Sequence, residues 1–209
     1  MRRGHWLCLL ALLLAGGAWL WSRTRAGPGY TNFPPTTRGD WVAFGDSLTE
    51  GYGGSEGGDY PTQLAKRLRL KIRNFGVSGN TTADGLARLD QIQQLQPRVV
   101  LLCLGGNDAL RSNPPDETFA NLGTMVDRLH QGGSFVVLLG VRSVGLSDKN
   151  SKRYEQLAKT KRVLLVPNIL EGILFTPNLM SDQIHPNDLG YARIAERLEE
   201  VLLPILPKL

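Results

Sequence analysis

Residues 99–104, Val99-Val100-Leu101-Leu102-Cys103-Leu104, form an uninterrupted apolar run that ends at the pair Gly105-Gly106. A run this short and this apolar, followed by glycines, is typical of a strand that is buried on both faces of a sheet. Other short apolar runs lie along the chain, and amphipathic segments lie between them. Because connecting helices cover both faces of a parallel sheet, this alternation predicts an α/β fold.

The alternating elements extend from Trp41 to about Leu203. We expect strands at Trp41–Gly45, Lys71–Phe75, Val99–Leu104, Phe135–Val141 and Val163–Val166. We expect helices at Tyr60–Leu70, Thr82–Leu95, Asp116–His130, Ser151–Lys159 and Asn187–Leu203. Five parallel strands with helices on both faces make a three-layer α/β/α domain, assigned to residues 41–209, in which ligands bind beyond the carboxyl ends of the strands.

Residues 1–26 have the composition of a targeting segment. Arg2-Arg3 precede an apolar run from Trp6 to Trp21, and two more arginines follow that run. A positive start followed by an apolar stretch is typical of a secretory signal peptide. An uncleaved anchor over residues 6–21 stays open as the alternative, although a comfortable membrane span needs roughly 20 apolar residues. We therefore expect an exported protein, with a linker over residues 27–40.

The net charge of +5 belongs to this N-terminal segment. The first 26 residues contain four arginines and no acidic residue, which leaves 20 basic and 19 acidic residues in the rest of the chain. No stripe of basic and aromatic residues is present that could stack bases, so we expect no nucleic-acid partner. The two cysteines, Cys8 and Cys103, lie in the N-terminal run and in a buried strand, which argues against a disulfide scaffold.

A candidate nucleophile, Ser47, directly follows the first strand. Serine is also a common helix cap, so the residue alone is ambiguous. A serine nucleophile needs a base, and only His130 and His185 lie beyond residue 26. His130 ends an amphipathic helix, where the helix dipole is enough to explain an imidazole. His185 precedes the last helix, and Asp182 stands three residues before it, close enough in a turn to orient its ring.

Two glycine-containing segments that follow strands supply candidate oxyanion donors. Gly79 lies in Val77-Ser78-Gly79-Asn80, where glycine permits a close backbone approach, and Asn107 offers a side-chain amide in Gly105-Gly106-Asn107-Asp108. Together with the backbone N–H of Ser47, they make three donors at the same edge of the predicted sheet. With a single histidine left for the triad and a peripheral one elsewhere, we expect no metal ion and no other cofactor.

In this order, the segments around Ser47, Gly79, Asn107 and His185 resemble the sequence blocks of the SGNH/GDSL hydrolases. The resemblance covers essentially all of residues 41–209 and is strongest to the bacterial periplasmic thioesterase/lysophospholipase and arylesterase branch, which also shares Gly85-Leu86-Ala87-Arg88-Leu89. It implies a flavodoxin-like SGNH fold and a periplasmic or secreted protein, with attachment to the inner membrane as the alternative.

The resemblance also implies site residues and an activity. Ser47 is the implied nucleophile, Asp182 and His185 complete the triad, and Gly79 and Asn107 join Ser47 in the oxyanion hole. The implied reaction is hydrolysis of carboxylic esters or thioesters, such as short acyl or aryl esters or lysophospholipids, through an acyl-enzyme.

Alternatives remain at the level of sequence. The same residues would serve a carbohydrate O-acetylesterase, for which Tyr52 and Tyr60 are the obvious aromatic rim candidates, or an acyltransferase with an acceptor other than water. A non-catalytic exported binding module is the alternative from another class. The apolar segment Ile169–Met180 could wall an acyl-binding cleft, but we interpret it as a core helix. We expect the loops at 51–58 and 110–115 to rim the pocket.

Overall fold

The computed structural model describes residues 29–141 and 149–209. Its strands are β1 (Trp41–Gly45), β2 (Ile72–Gly76), β3 (Val99–Cys103), β4 (Phe135–Leu139) and β5 (Leu164–Val166). Its helices are α1 (Ser47–Glu50), α2 (Tyr60–Leu68), α3 (Thr82–Ala87), α4 (Leu89–Gln93), α5 (Gly106–Leu110), α6 (Pro115–Gln131), α7 (Lys149–Lys161) and α8 (Asp188–Leu202). Two short 3₁₀ helices occupy Pro177–Leu179 and Leu206–Lys208.

The five strands form one parallel sheet in the order β2-β1-β3-β4-β5. This order is that of flavodoxin-like folds, and it confirms the predicted five-stranded parallel sheet. The chain leaves β1 toward β2 on one side and then returns to place β3 on the other side. A crevice opens where the direction reverses, beyond the carboxyl ends of β1 and β3.

Helices cover both faces of the sheet, and the side chains of successive strand residues alternate between two hydrophobic clusters. One cluster holds Trp41, Ala43 and Leu101 from the strands with residues of α2 and α8, and the other holds Val42 and Phe44 with residues of α4, α6 and α7. The residues of β1, β3 and β4 are all buried, which explains why their sequences are continuously apolar instead of alternating. The three-layer α/β/α prediction is confirmed.

One predicted helix is broken. The helix expected over Thr82–Leu95 is two short helices, α3 and α4, that meet at Arg88, whose φ of −107° and ψ of 10° are not helical. The guanidinium of Arg88 donates hydrogen bonds to the carbonyl oxygens of Gly45 and Phe75 at the ends of β1 and β2. These tertiary contacts override the helical pattern of the local sequence.

The interpretation of Ile169–Met180 as a core helix is wrong. The segment consists of turns followed by the 3₁₀ helix Pro177–Leu179. Ile169 and Ile173 are nevertheless fully buried in the core, whereas Phe175 adopts a φ of 65° and leaves 79% of its area exposed. A residue with this backbone conformation cannot continue a right-handed helix. The apolar side chains of the segment therefore lie partly in the core and partly on the surface.

The segment expected as a linker is packed against the domain from residue 29 onward. The rings of Tyr30 and Phe33 contact Phe135, and the Asn32 side chain donates to the carbonyl oxygens of His130 and Ser134 at 2.8 and 3.0 Å. These contacts run along the amino edge of the sheet, so the packed domain begins before Trp41. The predicted targeting segment, residues 1–26, lies outside the described residues. In the part of the chain that is described, no helix is long and apolar enough to cross a membrane.

A buried carboxylate in α5 holds the first residue of α3. Asp108 is 3% exposed and accepts hydrogen bonds from the backbone N–H and the hydroxyl of Thr82 at 2.8 and 2.7 Å. We expect Asp108→Ala to lower the free energy of unfolding by about 2–3 kcal/mol, because it leaves two buried donors without an acceptor. Chemical denaturation measures the change.

The matched control is Asp116→Ala, which removes a carboxylate that is 89% exposed and paired with Arg153. Exposed ion pairs contribute roughly 0–1 kcal/mol, so this variant should unfold almost as the wild type does. Equal effects of the two substitutions would contradict a structural role for Asp108.

Candidate active site

The turn after β1 places Ser47 at the carboxyl edge of the sheet. Asp46 is the N-cap of α1, and its side chain accepts a hydrogen bond from the Leu48 N–H at 3.1 Å. Ser47 is the first residue of the helix, so its own N–H has no partner within α1. The turn needs glycine at position 45, because a Cβ there would lie 2.1 Å from Thr49 Oγ1 and 2.4 Å from the Cys103 oxygen.

Asp182 and His185 share a tight turn just before α8. Asp182 Oδ1 accepts hydrogen bonds from the backbone N–H groups of Ile184 and His185, both at 2.8 Å. The other oxygen of the same carboxylate, Oδ2, lies 2.7 Å from His185 Nδ1. His185 Nε2 in turn lies 3.1 Å from Ser47 Oγ. The structure thus brings together three residues that the sequence separates by as many as 138 positions.

This geometry sets the direction of proton transfer. With a proton on Nδ1 held by the Asp182 carboxylate, the Nε2 lone pair faces the hydroxyl of Ser47, as a general base requires. Partial burial raises the pKa of Asp182, but the hydrogen bonds from the His185 ring and from the backbone N–H groups of Ile184 and His185 outweigh it and lower that pKa below its ordinary value. Asp182 therefore stays ionised and can stabilise a protonated His185.

Tyr52 fixes the other side of the histidine ring. The centroids of the Tyr52 and His185 rings are 4.6 Å apart, and the Tyr52 carbonyl accepts a hydrogen bond from the hydroxyl of Tyr191 at 2.7 Å. The sequence marked Tyr52 only as an aromatic at the pocket rim. Its contact with His185 depends on how the loop at 51–58 folds back over the start of α8, which local sequence does not reveal.

Gly79 lies in the loop after β2 and Asn107 in the first turn of α5, and their donors face different surroundings. Gly79 has a φ of 80°, which favours glycine, and no described residue accepts a hydrogen bond from its N–H. Asn107 Nδ2 lies 3.0 Å from the Asn80 carbonyl oxygen and 3.4 Å from Asp46 Oδ2. Asn107 lines the cavity beside Ser47, whereas Gly79 is not among its lining residues.

The cavity beside Ser47 and His185 has a volume of about 130 Å³ and a mostly apolar wall. Leu170 and Leu174, from the segment expected to form a core helix, line this wall together with Val141. A second cavity of about 440 Å³ shares Leu110 and Ile184 with the first and continues the apolar surface outward. Among the described residues, no group of three or more His, Cys, Asp and Glu side chains could hold a metal ion.

Asp46 is a buried acid that sequence reasoning left without a role. It is 2% exposed, and burial raises its pKa to about 7 against the opposing effects of the Leu48 N–H and of His185. The ordinary pKa of 3.8 applies to Asp46 in the unfolded chain. Between about pH 4 and pH 7, the carboxyl group of Asp46 is therefore protonated in the folded protein and ionised in the unfolded chain. This contribution to stability is complete below about pH 4 and is lost as the pH rises toward 7.

Asp46→Asn keeps the shape of the side chain without the charge. We expect the stability of this variant relative to the wild type to rise between pH 4 and pH 7, by roughly 1 kcal/mol per pH unit, and to level off above pH 7. Urea unfolding at several pH values measures the difference. Asp84→Asn is the control, because hydrogen bonds from Thr81 lower the pKa of Asp84 and its difference from the wild type should be flat between pH 5 and pH 7. A flat difference for Asp46→Asn as well would contradict the prediction.

The chain is similar to known hydrolases in sequence and in fold. The chain matches the GDSL-like lipase/acylhydrolase family over residues 43–193. It is 33% identical to an arylesterase of Vibrio mimicus, over 78% of this chain and 87% of the relative. It is also 33% identical to thioesterase 1/protease 1/lysophospholipase L1 of Escherichia coli strain K12, over 79% of this chain and 84% of the relative.

Among solved structures, the fold is similar to that of AlinE4, an esterase of the SGNH-hydrolase family. The two share 35% sequence identity with a TM-score of 0.64, over 80% of this chain and 94% of AlinE4. The chain therefore belongs to the GDSL-like lipase/acylhydrolase family, and the protein is a carboxylic ester hydrolase with the SGNH fold.

Proposed function

We propose that Ser47, His185 and Asp182 carry out ester hydrolysis in two acyl-transfer steps. The observation that carries this proposal is the continuous hydrogen-bonded path from Asp182 Oδ2 through His185 to Ser47 Oγ, with distances of 2.7 and 3.1 Å. His185 takes the hydroxyl proton as Ser47 Oγ attacks the carbonyl carbon. It then gives this proton to the leaving alcohol or thiol, and afterwards activates water to release the acyl group.

The developing oxyanion has three donors in this proposal. Ser47 and Gly79 supply backbone N–H groups, and Asn107 supplies one N–H of its amide. The Asn107 N–H near Asp46 is held at 3.4 Å, a weak contact that a charged oxygen would readily replace. Donors fixed in advance stabilise charge without reorganising during the reaction, and one such donor is typically worth about 3–4 kcal/mol in the transition state.

The proposed substrates are short acyl or aryl esters and thioesters, and lysophospholipids. The small apolar cavity beside Ser47 suits an acyl group, and the larger apolar cavity beyond Leu110 offers space for a longer chain or an aryl leaving group. Large apolar side chains are exposed around it, with Leu110 at 57% and Phe175 at 79%. The names of the two relatives, an arylesterase and a thioesterase/lysophospholipase, support this substrate range.

We further propose that residues 1–26 direct export to the periplasm or the cell exterior, as a cleaved signal peptide or as an anchor in the inner membrane. The support is the basic and apolar composition of the segment. The described chain begins at the amino edge of the sheet, where the Thr31 N–H donates to the Arg162 carbonyl. Ser47 lies at the opposite, carboxyl edge of the sheet, so the proposed export segment would join the domain on the side away from the cavity.

The first test is hydrolysis of p-nitrophenyl esters of increasing acyl length by the purified protein and by Ser47→Ala. We expect the substitution to abolish turnover, because no other described hydroxyl lies within hydrogen-bond distance of His185 Nε2. Ser181→Ala is the control, since its hydroxyl bonds only to the His185 carbonyl at 3.3 Å. Retained turnover in Ser47→Ala would refute the assignment. Activity confined to acetyl esters would favour the carbohydrate O-acetylesterase alternative.

The second test concerns the oxyanion donors. We expect Asn107→Ala to lower kcat by roughly one hundred- to one thousandfold, the usual range for removal of one donor. The control is Asn178→Ala, which changes an exposed asparagine outside both apolar cavities. An unchanged kcat in Asn107→Ala would remove this residue from the site.

A further inference from the structure

Arg88 lies beneath the site and contacts three segments that lead into it. Its Nη2 donates to the Gly45 oxygen at 2.8 Å, its Nη1 to the Phe75 oxygen at 3.0 Å, and its Nε to Asn80 Oδ1 at 2.7 Å. The guanidinium also stacks on the buried ring of Phe44, 4.3 Å from its centroid. A half-buried arginine is thus held on one face by an aromatic ring and along its edge by three neutral oxygens.

These contacts continue to the candidate oxyanion donor. Gly45 and Phe75 are residues of β1 and β2, so the guanidinium is fixed to the sheet itself. Its third hydrogen bond holds the side chain of Asn80, and the backbone oxygen of Asn80 accepts a hydrogen bond from Asn107 Nδ2 at 3.0 Å. The path runs from the sheet to Arg88, then to Asn80, then to the Asn107 amide.

We propose that Arg88 is a positioning residue that sets the orientation of the Asn107 amide through Asn80. The inference rests on the proposed role of Asn107 as an oxyanion donor. A planar guanidinium spreads its N–H donors over three nitrogens in fixed directions, so Arg88 reaches three separate acceptors at once, whereas lysine carries all its donors on one nitrogen. The break between α3 and α4 at Arg88 serves this role, because it turns the Arg88 side chain toward the ends of β1 and β2.

The orientation of a single donor matters for the rate. The second N–H of the Asn107 amide can reach an oxyanion only while the first one remains on the Asn80 oxygen. A displacement of about 1 Å confined to the Asn80 carbonyl oxygen would misdirect this donor, while the Gly79 oxygen stays held by Arg111. Displacements of that size cost up to about one hundredfold in rate. Ground-state binding of the ester in the apolar cavity would be unaffected. We therefore expect a misdirected donor to lower kcat and to leave KM unchanged.

The test is a double-mutant cycle with Arg88→Lys and Asn107→Ala, measured on p-nitrophenyl butyrate. We expect Arg88→Lys to lower kcat by about ten- to one hundredfold with KM within about twofold of the wild type. In the Asn107→Ala background, Arg88→Lys should lower kcat by less than about threefold, since the donor it positions is already gone. Losses that multiply, a change confined to KM, or full activity of Arg88→Lys would overturn the proposal.

Two further variants separate positioning from folding. Arg67→Lys is the matched control, because Arg67 also bridges elements, through hydrogen bonds to Glu196 and Glu199 at 2.9 and 2.8 Å, but between α2 and α8. It should leave kcat unchanged. If Arg88→Lys does not fold, Asn80→Ala tests the same link, since it removes only the acceptor of Arg88 Nε, and its loss of kcat must also vanish in the Asn107→Ala background.

A readout without turnover keeps this inference separate from the proposed activity. The side-chain amide resonances of Asn107 can be assigned in a ¹⁵N-labelled protein by their absence in Asn107→Ala. We expect Arg88→Lys to shift them and Arg67→Lys to leave them in place. Unchanged resonances in Arg88→Lys would refute the positioning role, whereas shifted resonances in a protein that hydrolyses no ester would refute the proposed function alone.

Discussion

The parallel pairing of β1 with both β2 and β3 is the constraint on which the site depends. Gly45 lies in register with Gly76 on one side and with Cys103 on the other. Because the three strands end at the same level, the loops that follow them begin at one edge of the sheet, within a few residues of Ser47, Gly79 and Asn107. A shift of one residue in either pairing would move a whole loop by more than 3 Å and separate the three donors.

The glycines at the ends of these strands allow the loops to approach so closely. A Cβ at Gly76 would lie 2.0 Å from the backbone nitrogen of Glu50, in the helix that carries Ser47. The first turn of α1 therefore rests directly on the end of β2, backbone against backbone. No side chain of Gly76 lies between them to absorb a change in position, so Ser47 is placed by the sheet and not by the loop around it.

The sequence was sufficient for those features that local pattern controls. Continuous apolar runs revealed the buried strands β1, β3 and β4, and Ser47 and Asn107 closely follow two of them, while the short spacing of Asp182 and His185 matched a turn. The strand before Gly79, β2, is a half-exposed edge strand with a mixed sequence. Features that depend on long-range contact were not predictable: the helix break at Arg88 comes from acceptors on two strands, and the packing of residues 29–40 depends on partners such as Phe135 and His130. Asp46 belongs to the same group, since its raised pKa reflects burial that only the folded chain creates.

The hydrogen bonds around the site also explain why a substrate would be bound there. In the loop at 77–80, the Val77 N–H donates to Gly45, the Ser78 N–H to Glu50 and the Asn80 N–H to Val77, while the Gly79 oxygen accepts from Arg111. Among the described residues, the backbone N–H groups of Ser47 and Gly79 are left without an acceptor, and the Asn107 amide has one N–H that is only weakly held. Unpaired donors in a partly enclosed site are costly in the free protein. An oxyanion that reaches all three would recover this cost in the transition state, so the hydrogen bonds that stabilise the loop at 77–80 leave the proposed oxyanion donors available.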